Sequence, residues 1–390
     1  MSNSFSRILF IAKRECRRLI ANPVYVLGMV VFPILVTVLF TSLMDEGQPE
    51  EMPVGVVDLD NTSFTRKLTR SLDAFQTTHI VARYPNVEEA RKAMQQGTIY
   101  AFLYYPKGTT DALLSSRQPT ISFYYSYTSL TAGSLLFRDL KTISTLGSAA
   151  VGSATLKAKG LTDAQIGTFL QPIKIDLHTV ANPWVNYNVY LSTMLVPGCL
   201  LLFVFLITAY AFGMELKQNT SRQLIKIAGG KGWVAIVGKA LPHLLVHLAI
   251  FSLYQLYIYK VLHFPHEGGV GVIALLAVLS IMGSMGFAIF MFGLFPSLRM
   301  SMSMCSLWGV LSYSMVGTAF PTFAMDAPLE VLSNLFPLRH YFRIYQTCVF
   351  NGNALIYDWA NILALVVFAL LPLLVARSIR KVYSTYVYLP

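Results

Sequence analysis

The sequence predicts an α-helical membrane protein with six transmembrane helices, a re-entrant hairpin, and an α/β extracytoplasmic domain inserted between spans 1 and 2. Composition is the first reason: 55% of the 390 residues are hydrophobic and only 13% are charged, whereas soluble domains carry about a quarter charged residues. The second reason is a series of long uncharged runs. The third is a charge-neutral stretch, residues 45–187, that is long enough to form a domain.

Six runs are long enough to cross a bilayer, which takes about 20 mostly apolar residues. The first run, residues 24–44, contains no charged side chain. Short polar breaks divide the C-terminal half, so residues 188–390 are predicted to form the bundle of spans 2 to 6. The six predicted spans are residues 24–44, 189–213, 240–262, 269–295, 301–323 and 359–379.

The net charge of +11 is concentrated beside the predicted spans. Residues 1–23, residues 214–239, Arg299 and residues 377–381 together hold 14 basic and 2 acidic side chains. Because cytoplasmic segments carry the excess of Lys and Arg, both termini are predicted in the cytoplasm and the inserted domain outside. This placement explains the basic composition, so no nucleic-acid partner is expected.

Residues 1–23 are predicted to hold a cytoplasmic amphipathic helix over residues 4–20. Apolar side chains recur there at helical spacing, which favours a helix lying flat on the membrane surface. They are Phe5, Ile8, Leu9, Ala12, Cys16 and Leu19. Asn22-Pro23 is predicted to end this helix and to start the first span.

Within residues 45–187, short β-like runs alternate with helical ones, which is typical of an α/β domain. Strands are predicted over residues 53–58, 79–84, 98–105 and 121–127, and helices over 63–75, 87–96 and 130–158. A last extended run is predicted over about 172–180.

Residues 214–227 are predicted to form one amphipathic helix on the cytoplasmic side. One face of this helix holds Leu216, Thr220, Leu224 and Ile227. Amphipathicity alone leaves two interpretations open: an anchor on the membrane surface, or a helix on which a partner protein pushes.

No motif for ATP binding or catalysis is recognisable. The two Gly-Lys pairs precede Gly232 and Ala240, whereas a phosphate-binding loop needs Ser or Thr at that position. We therefore expect no enzymatic activity and no cofactor bound by this chain.

Two pairs of potential metal ligands are better explained as structural residues. His243 and His247 lie four residues apart but lack a third ligand, and zinc takes three or four protein ligands. Asp58 and Asp60 follow a strand and supply too few oxygens for calcium, so a strand end with a helix-entry turn is favoured. We expect no metal site.

Residues 327–350 contain too many prolines and charges to cross the membrane. We predict an outer re-entrant helical hairpin, since irregular backbone at membrane depth must be covered by protein or water. Pro337, Arg339, His340 and Arg343 are predicted to hold this hairpin at the outer interface.

Four short motifs follow one another along the chain: MELKQNTSRQL (214–224), GKALP (238–242), LFPLRHY (335–341) and FNG (350–352). In this order they resemble the permease subunits of the ATP-binding-cassette type-2 exporters, which have the type V exporter fold. The bacterial branch with a large external domain between spans 1 and 2 is the most similar. Lys217 and Asn219 depart from the family pattern, which more often has a second acid and a glycine.

The resemblance implies that two permease chains, identical or different, pair in a bacterial inner membrane among its lipids. Each would rest on a separate ATPase that binds ATP and Mg²⁺, with residues 4–20 as connecting helix and 214–227 as coupling helix. Residues implied in coupling to the ATPase are Glu215, Leu216, Lys217, Thr220, Leu224 and Lys239. Candidates for the translocation path are Phe203, Tyr313 and Met315. A periplasmic adaptor and the substrate are left open.

Three functions fit these features to different degrees. The leading hypothesis is the permease of an ATP-driven exporter for an amphiphilic substrate: a lipid, a drug or an envelope component. The second is a membrane-anchored receptor or scaffold whose external domain binds a ligand or an envelope protein. The third, a membrane-bound enzyme, is disfavoured because no carboxylate or nucleophile lies beside Arg339, His340 and Arg343 in sequence.

Overall fold

The computed structural model describes residues 4–385 except 116, 173–177, 179–181, 183–184 and 319. The chain divides into two compact units. One comprises Met1–Asp45 and Thr179–Pro390, and the other is Glu46–His178. The second unit falls within the predicted insert 45–187; its location outside the membrane stays a prediction.

The chain begins with an amphipathic helix, α1 (Ser4–Ala21), close to the predicted bounds. Ala12 and Leu19, two residues of the predicted apolar face, are buried, and so is Ile11, which the prediction did not place on that face. Phe5, Leu9 and Cys16, placed on the same face in the prediction, remain exposed. The apolar residues of α1 are therefore divided between the bundle and the surroundings.

The turn at Asn22-Pro23 follows the prediction. The Asn22 side chain accepts a hydrogen bond from the Val24 N–H, and Pro23 occupies the first turn of α2 (Pro23–Leu43). Both are favoured positions, because the N-terminal N–H groups of a helix need acceptors and Pro has no N–H to satisfy. The cap thus separates α1 from the first span.

The second unit is an α/β fold with a four-stranded sheet in the order β2-β1-β3-β4. The first three strands are parallel, and β4 is antiparallel to β3. The predicted run at 172–180 lies mostly outside the described residues. The elements in order are β1 (Met52–Asp58), α3 (Ser63–Asp73), β2 (Thr78–Arg83), α4 (Val87–Gln95), β3 (Ala101–Tyr105), α5 (Thr109–Leu114), β4 (Ser122–Tyr125), α6 (Leu130–Ala158) and α7 (Asp163–Leu170).

Helices cover both faces of this sheet. On one face Val56 and Leu103 pack with Leu136 of α6, and on the other Val57 and Phe102 pack with α4. Successive residues of a strand point to opposite faces, so the two central strands, β1 and β3, are apolar except for Asp58 at the end of β1, as burial on both sides requires. The α/β class of this unit was therefore predicted correctly.

The rest of the chain forms a helical bundle with α1 and α2. Among the described residues, five helices are long and apolar enough to cross a membrane: α2, α8, α10, α11 and α15. The elements in order are α8 (Tyr187–Lys217), α9 (Ser221–Ile227), α10 (Gly232–Val261), α11 (Gly269–Leu294), α12 (Leu298–Met315), α13 (Ala327–Ser333), α14 (Pro337–Ile344) and α15 (Leu355–Thr385).

The predicted fifth span, residues 301–323, differs from the structure. Helix α12 ends at Met315, eight residues before the predicted limit, because Gly317 takes a positive φ of 97° and Pro321 follows in extended backbone. Its 18 residues rise about 27 Å, and Arg299 lies in its first turn. The limit at 323 was wrong, and the count of six spans stays a prediction.

Glycines let α11 pack closely against α15. A Cβ added to Gly286 would lie 2.2 Å from the Phe368 carbonyl oxygen, and one added to Gly293 would lie 2.4 Å from the Val375 Cβ. Neither site has room for a side chain, since interiors are packed as densely as organic crystals. These two contacts fix the distance between α11 and α15.

We expect Gly286→Leu to lower the melting temperature of the purified chain, because the added side chain must separate α11 from α15. Overpacking of this kind costs about 1–3 kcal/mol. Gly271→Leu is the matched control, because the same helix has open space there. Thermal unfolding in one detergent tests both variants, and equal melting temperatures would contradict the close packing.

Candidate functional site

Charged residues from three helices meet at the basic end of the bundle, the end predicted to be cytoplasmic. Lys239 of α10 lies between two carboxylates: its Nζ is 2.5 Å from Glu15 Oε1 and 3.0 Å from Glu215 Oε1. Glu15 belongs to α1 and Glu215 to the last turn of α8. With Arg14 and Arg18 of α1 these residues form what we call the ionic cluster.

Glu215 accepts hydrogen bonds from four side chains of the cluster and its surroundings. Arg14 binds it in a bidentate manner, with N···O distances of 3.1 and 3.0 Å, a geometry that strengthens and orients the pair. Arg18 also pairs with Glu215 and donates to the Thr220 hydroxyl over 3.0 Å. Thr220 in turn donates to Glu215 over 2.5 Å. The N-terminal helix is thus tied to the end of α8.

The cluster is buried although it is charged. Glu15, Glu215 and Lys239 are fully buried, whereas Arg14 and Arg18 keep 17% and 24% of their side chains exposed. Buried charges are tolerated only when they are paired and hydrogen-bonded. Burial raises the pKa of Glu15, but Lys239 and His243 more than offset this and lower it to about 2. Glu15 therefore remains an anion at neutral pH.

Glu15, Arg14 and Arg18 were not among the site residues predicted from the sequence. A signal was nevertheless present, because Glu15 lies four residues from both Ile11 and Leu19. That spacing places an acid on the buried face of an amphipathic helix, in a segment whose other charges are all basic. Such a residue requires a buried cation as partner.

The predicted coupling helix 214–227 is not continuous. Helix α8 extends to Lys217, Asn219 adopts a φ of +56°, and α9 begins at Ser221. Asn tolerates this left-handed conformation better than other non-glycine residues. The same Asn219 that departs from the family pattern therefore provides the break.

The residues expected to couple to the ATPase are mostly interior. Glu215, Leu216, Leu224 and Lys239 are buried, Thr220 is half-buried, and Lys217 is exposed. The surface next to these buried residues is formed by the exposed side chains of residues 217–231, a segment that we call the basic turn. Its exposed residues include Lys217, Arg222, Gln223, Lys226 and Lys231.

Of the two pairs considered as metal ligands, His243, Asp58 and Asp60 make polar contacts within the fold, and His247 is buried. His243 Nε2 lies 3.2 Å from Glu15 Oε1, beside the ionic cluster. Asp58 accepts from the Asn61 N–H at 2.7 Å and Asp60 from the Thr110 hydroxyl at 2.6 Å, so they form the predicted strand end and helix-entry turn. Within the described part of the chain, no group of three or more His, Cys, Asp or Glu residues is arranged to hold a metal ion.

The hairpin segment forms α13, α14 and a following π-helical turn, Tyr345–Phe350. His340 connects it to the last span, because its Nδ1 is 2.8 Å from Asn361 Oδ1 and its Nε2 is 2.8 Å from the Asn334 carbonyl oxygen. Asn361 donates to Asp358 over 2.8 Å. Asp358 was not predicted, because it is distant from His340 in sequence.

The other predicted hairpin residues have distinct environments. Arg339 is buried and donates to the Glu330 carbonyl oxygen over 3.0 Å. Pro337 starts α14 and is buried, whereas Arg343 is exposed. The membrane depth of the hairpin stays a prediction.

The candidates for a translocation path are half-buried and contact different neighbours. The Phe203 ring stacks on Phe32 of the first span at a centroid distance of 6.2 Å. Tyr313 packs on Gly198 and donates to Cys199 Sγ over 3.2 Å. Met315 is the last residue of α12. Their role in transport stays a prediction.

The apolar spans define an α-helical membrane protein whose basic end is fixed by buried ion pairs. Residues 24–377 match the family model described as "ABC-2 family transporter protein". The match covers nearly the whole chain, so the chain belongs to the ABC-2 transporter family, and the resemblance to its permeases is confirmed. The family implies a membrane component that works with a partner ATPase. None of the curated proteins compared matches the chain.

We expect Lys239→Met to destabilise the chain strongly, because two buried carboxylates lose their shared cation. Breaking a buried ion pair by removing one partner costs about 3–5 kcal/mol. Lys217→Met removes an exposed lysine and should change stability by less than about 0.5 kcal/mol. Denaturant unfolding of both variants tests this, and similar midpoints would contradict the buried pairing.

The stabilisation from Glu15 should depend on pH. Its pKa is lowered from 4.5 to about 2 in the folded chain, so the stabilisation is complete above about pH 4.5 and is lost as the pH falls towards 2. We expect the difference in melting temperature between wild type and Glu15→Gln to be large at pH 6 and to shrink below pH 4.5. A difference that is constant from pH 6 to 3 would exclude an ionised Glu15 as its source.

Proposed function

We propose that this chain is the permease subunit of an ATP-driven exporter that moves an amphiphilic substrate, such as a lipid, a drug or an envelope component. Family membership supports a transporter component. The sequence has no phosphate-binding loop, which supports ATP and Mg²⁺ binding on a separate subunit. Export rather than import follows from the resemblance to type-2 exporters.

The observation that carries this proposal is the connection between the ionic cluster and the basic turn. Arg18 contacts both Glu215 and Thr220, and Thr220 lies directly before α9. The buried face of α9 packs into the bundle through Leu224 and Ile225. An ATPase that moves α9 would therefore also displace α1 and the ends of α8 and α10.

The basic turn is the surface that we propose for ATPase docking. Arg222 and Lys226 are exposed on α9, on the side opposite its buried Leu224. The buried cluster residues then act by positioning this surface and do not touch the ATPase. The resemblance implied that Glu215 and Lys239 couple to the ATPase directly, whereas we propose that they position the docking surface. The docking surface stays within the predicted coupling segment 214–227 and its neighbours.

The proposal includes a second permease chain, identical or different, in a bacterial inner membrane with both termini in the cytoplasm. The distribution of basic residues supports this orientation, because positive segments stay on the cytoplasmic side. The Glu46–His178 unit would then lie outside the membrane, where an adaptor protein has access to it.

A second candidate function, a receptor with a ligand-binding external domain, is favoured by one cavity. It lies within the Glu46–His178 unit and has a volume of about 550 Å³, within the range of small-molecule sites. Leu68, Leu103, Tyr105, Ile143 and Val151 line it, and none of its described lining residues is charged. Its lining also includes Gln118, Thr120, Ser144 and Ser148, so a ligand with both apolar and polar groups would fit this cavity without any ATPase.

Dependence on an ATPase separates the two functions. We expect a phosphate-binding-loop ATPase to co-purify with the tagged chain from its native host, and Arg222→Glu/Lys226→Glu to lower its recovery by about tenfold or more, since like-charge contacts cost several kcal/mol. Mass spectrometry of the purified material measures this.

The matched control is Arg299→Glu/Lys381→Glu, which changes two exposed basic residues outside the basic turn. Equal recovery of the ATPase from both double variants would reject the basic turn as docking surface. If no ATPase co-purifies with the wild-type chain under mild detergent conditions, the receptor hypothesis explains the chain better than the exporter hypothesis.

A further inference from the structure

An apolar groove opens on the side of the bundle between α10, α11 and α15. We call it the lateral groove; its volume is about 270 Å³. Its described lining contains no charged side chain. Much of this lining is accessible, including Trp233, Val237, Met282, Leu370 and Leu373, each at least 40% exposed. Because the three helices are apolar enough to cross a membrane, the medium that fills this groove is lipid.

The shape of the groove follows from the helix packing. Because Gly286 has no side chain, α11 lies directly against the Phe368 carbonyl of α15. This close contact forms the narrow floor of the lateral groove. Small side chains, Ala240 and Ala369, border this floor on either side. Pro372, which lacks an N–H group, divides α15 into two helical segments at the level of the groove. The result is a slot with an apolar wall on each side.

Cations surround the end of the groove nearest the basic end of the bundle. Lys231 precedes Trp233 at the start of α10 and is exposed. Arg377 and Arg380 are exposed on α15, four residues after the groove residues Leu373 and Ala376. This spacing places both arginines on the side of α15 that lines the groove.

The two helices meet where these cations lie. A Cβ on Gly232 would be 2.3 Å from the Ala376 carbonyl oxygen and 3.2 Å from the Arg380 Cβ. The start of α10 and the Arg380 stem are therefore in contact, so Lys231 and Arg380 belong to one surface. The Lys231 Nζ also donates a hydrogen bond to the Ser4 hydroxyl over 3.3 Å.

No acidic side chain of the predicted cytoplasmic segments is available to neutralise this surface. Residues 1–23, 214–239 and 377–381 contain only two acids, Glu15 and Glu215, and both are buried in the ionic cluster. The charge at the groove mouth is thus complementary to an anion at the membrane surface.

We propose that the lateral groove binds one anionic phospholipid from the leaflet on the basic side of the bundle. An acyl chain occupies the apolar slot, and the phosphate group accepts hydrogen bonds from Arg377 and Arg380, with Lys231 as a third cation. Arg suits this role because its planar guanidinium binds phosphate in a bidentate manner. Trp233 lies at the level where aromatic residues favour the membrane–water interface.

A bound lipid would connect the start of α10 to the end of α15. Lys239 of the ionic cluster lies two turns further along α10, so the lipid would stabilise the helix that carries the shared cation. This site requires neither an ATPase nor a transported substrate, and it is independent of the proposed function.

Tryptophan quenching by brominated lipids tests the proposal on the full-length chain. The chain is reconstituted in phosphatidylcholine nanodiscs that contain a minor fraction of brominated phosphatidylglycerol or brominated phosphatidylcholine. The signal of Trp233 is the difference between wild type and Trp233→Phe. We expect brominated phosphatidylglycerol to quench this signal at a lower mole fraction than brominated phosphatidylcholine.

Removing cations should reduce the preference for brominated phosphatidylglycerol over brominated phosphatidylcholine by about fivefold for each charge. One basic residue near an anionic surface contributes about this factor to the affinity. Arg377→Gln/Arg380→Gln is the test variant, and Arg299→Gln, an exposed arginine at the start of α12, is the matched control. Ala369→Phe, which fills the lateral groove, should reduce quenching by both lipids; its melting temperature is measured beside that of Gly286→Leu, because Ala369 also borders the contact between α11 and α15.

Equal quenching of wild type by the two lipids would overturn the proposal, because it would show only bulk lipid at the groove. Quenching by neither lipid would also overturn it, because Trp233 would then be covered by protein, such as a second copy of the chain. A preference that survives unchanged in Arg377→Gln/Arg380→Gln would reject the assigned cations, and an equal loss in Arg299→Gln would reject them as well.

Discussion

Burial of two carboxylates at one end of the bundle is the constraint on which the arrangement of the chain depends. An unpaired buried carboxylate is too costly to persist, so Glu15 and Glu215 require cations within hydrogen-bond distance. One cation, Lys239, comes from a third helix and is shared between them. The N-terminal helix, the end of α8 and the start of α10 are thereby obliged to meet, although they are distant in sequence.

This constraint also determines what the basic turn can present to a partner. Thr220 and Arg18 connect the turn to Glu215, and the left-handed Asn219 separates α8 from α9. The apolar side of α9 faces the bundle, so its cationic side is exposed. A coupling surface can therefore be built from a short helix that has little stability of its own, because buried ion pairs fix its position.

The sequence was informative wherever local chemistry decides the structure. The Asn22-Pro23 cap, the strand β1 and the long helix α6 follow from capping, alternation and helical spacing, and their observed limits lie close to the predicted ones. The sequence was less informative where distant residues decide. The end of α12 at Met315 depends on a positive φ at Gly317. The burial of Glu15 depends on Lys239, which no local pattern connects to it.

Pairing both acids internally has a consequence for the outside of the bundle. If Glu15 and Glu215 were exposed, they would offset nearby cations and weaken attraction to anionic lipid. Because both are buried, the charged side chains that the predicted cytoplasmic segments present at the surface are all basic, among them Arg377 and Arg380 beside the lateral groove. The two acids of these segments lie in the interior. This placement supplies the ion pairs that hold the helices together, and it also leaves only cations at the surface that faces the membrane. The burial of Glu15 and Glu215 thus contributes both to the stability of the interior and to the attraction of anionic lipid at the surface.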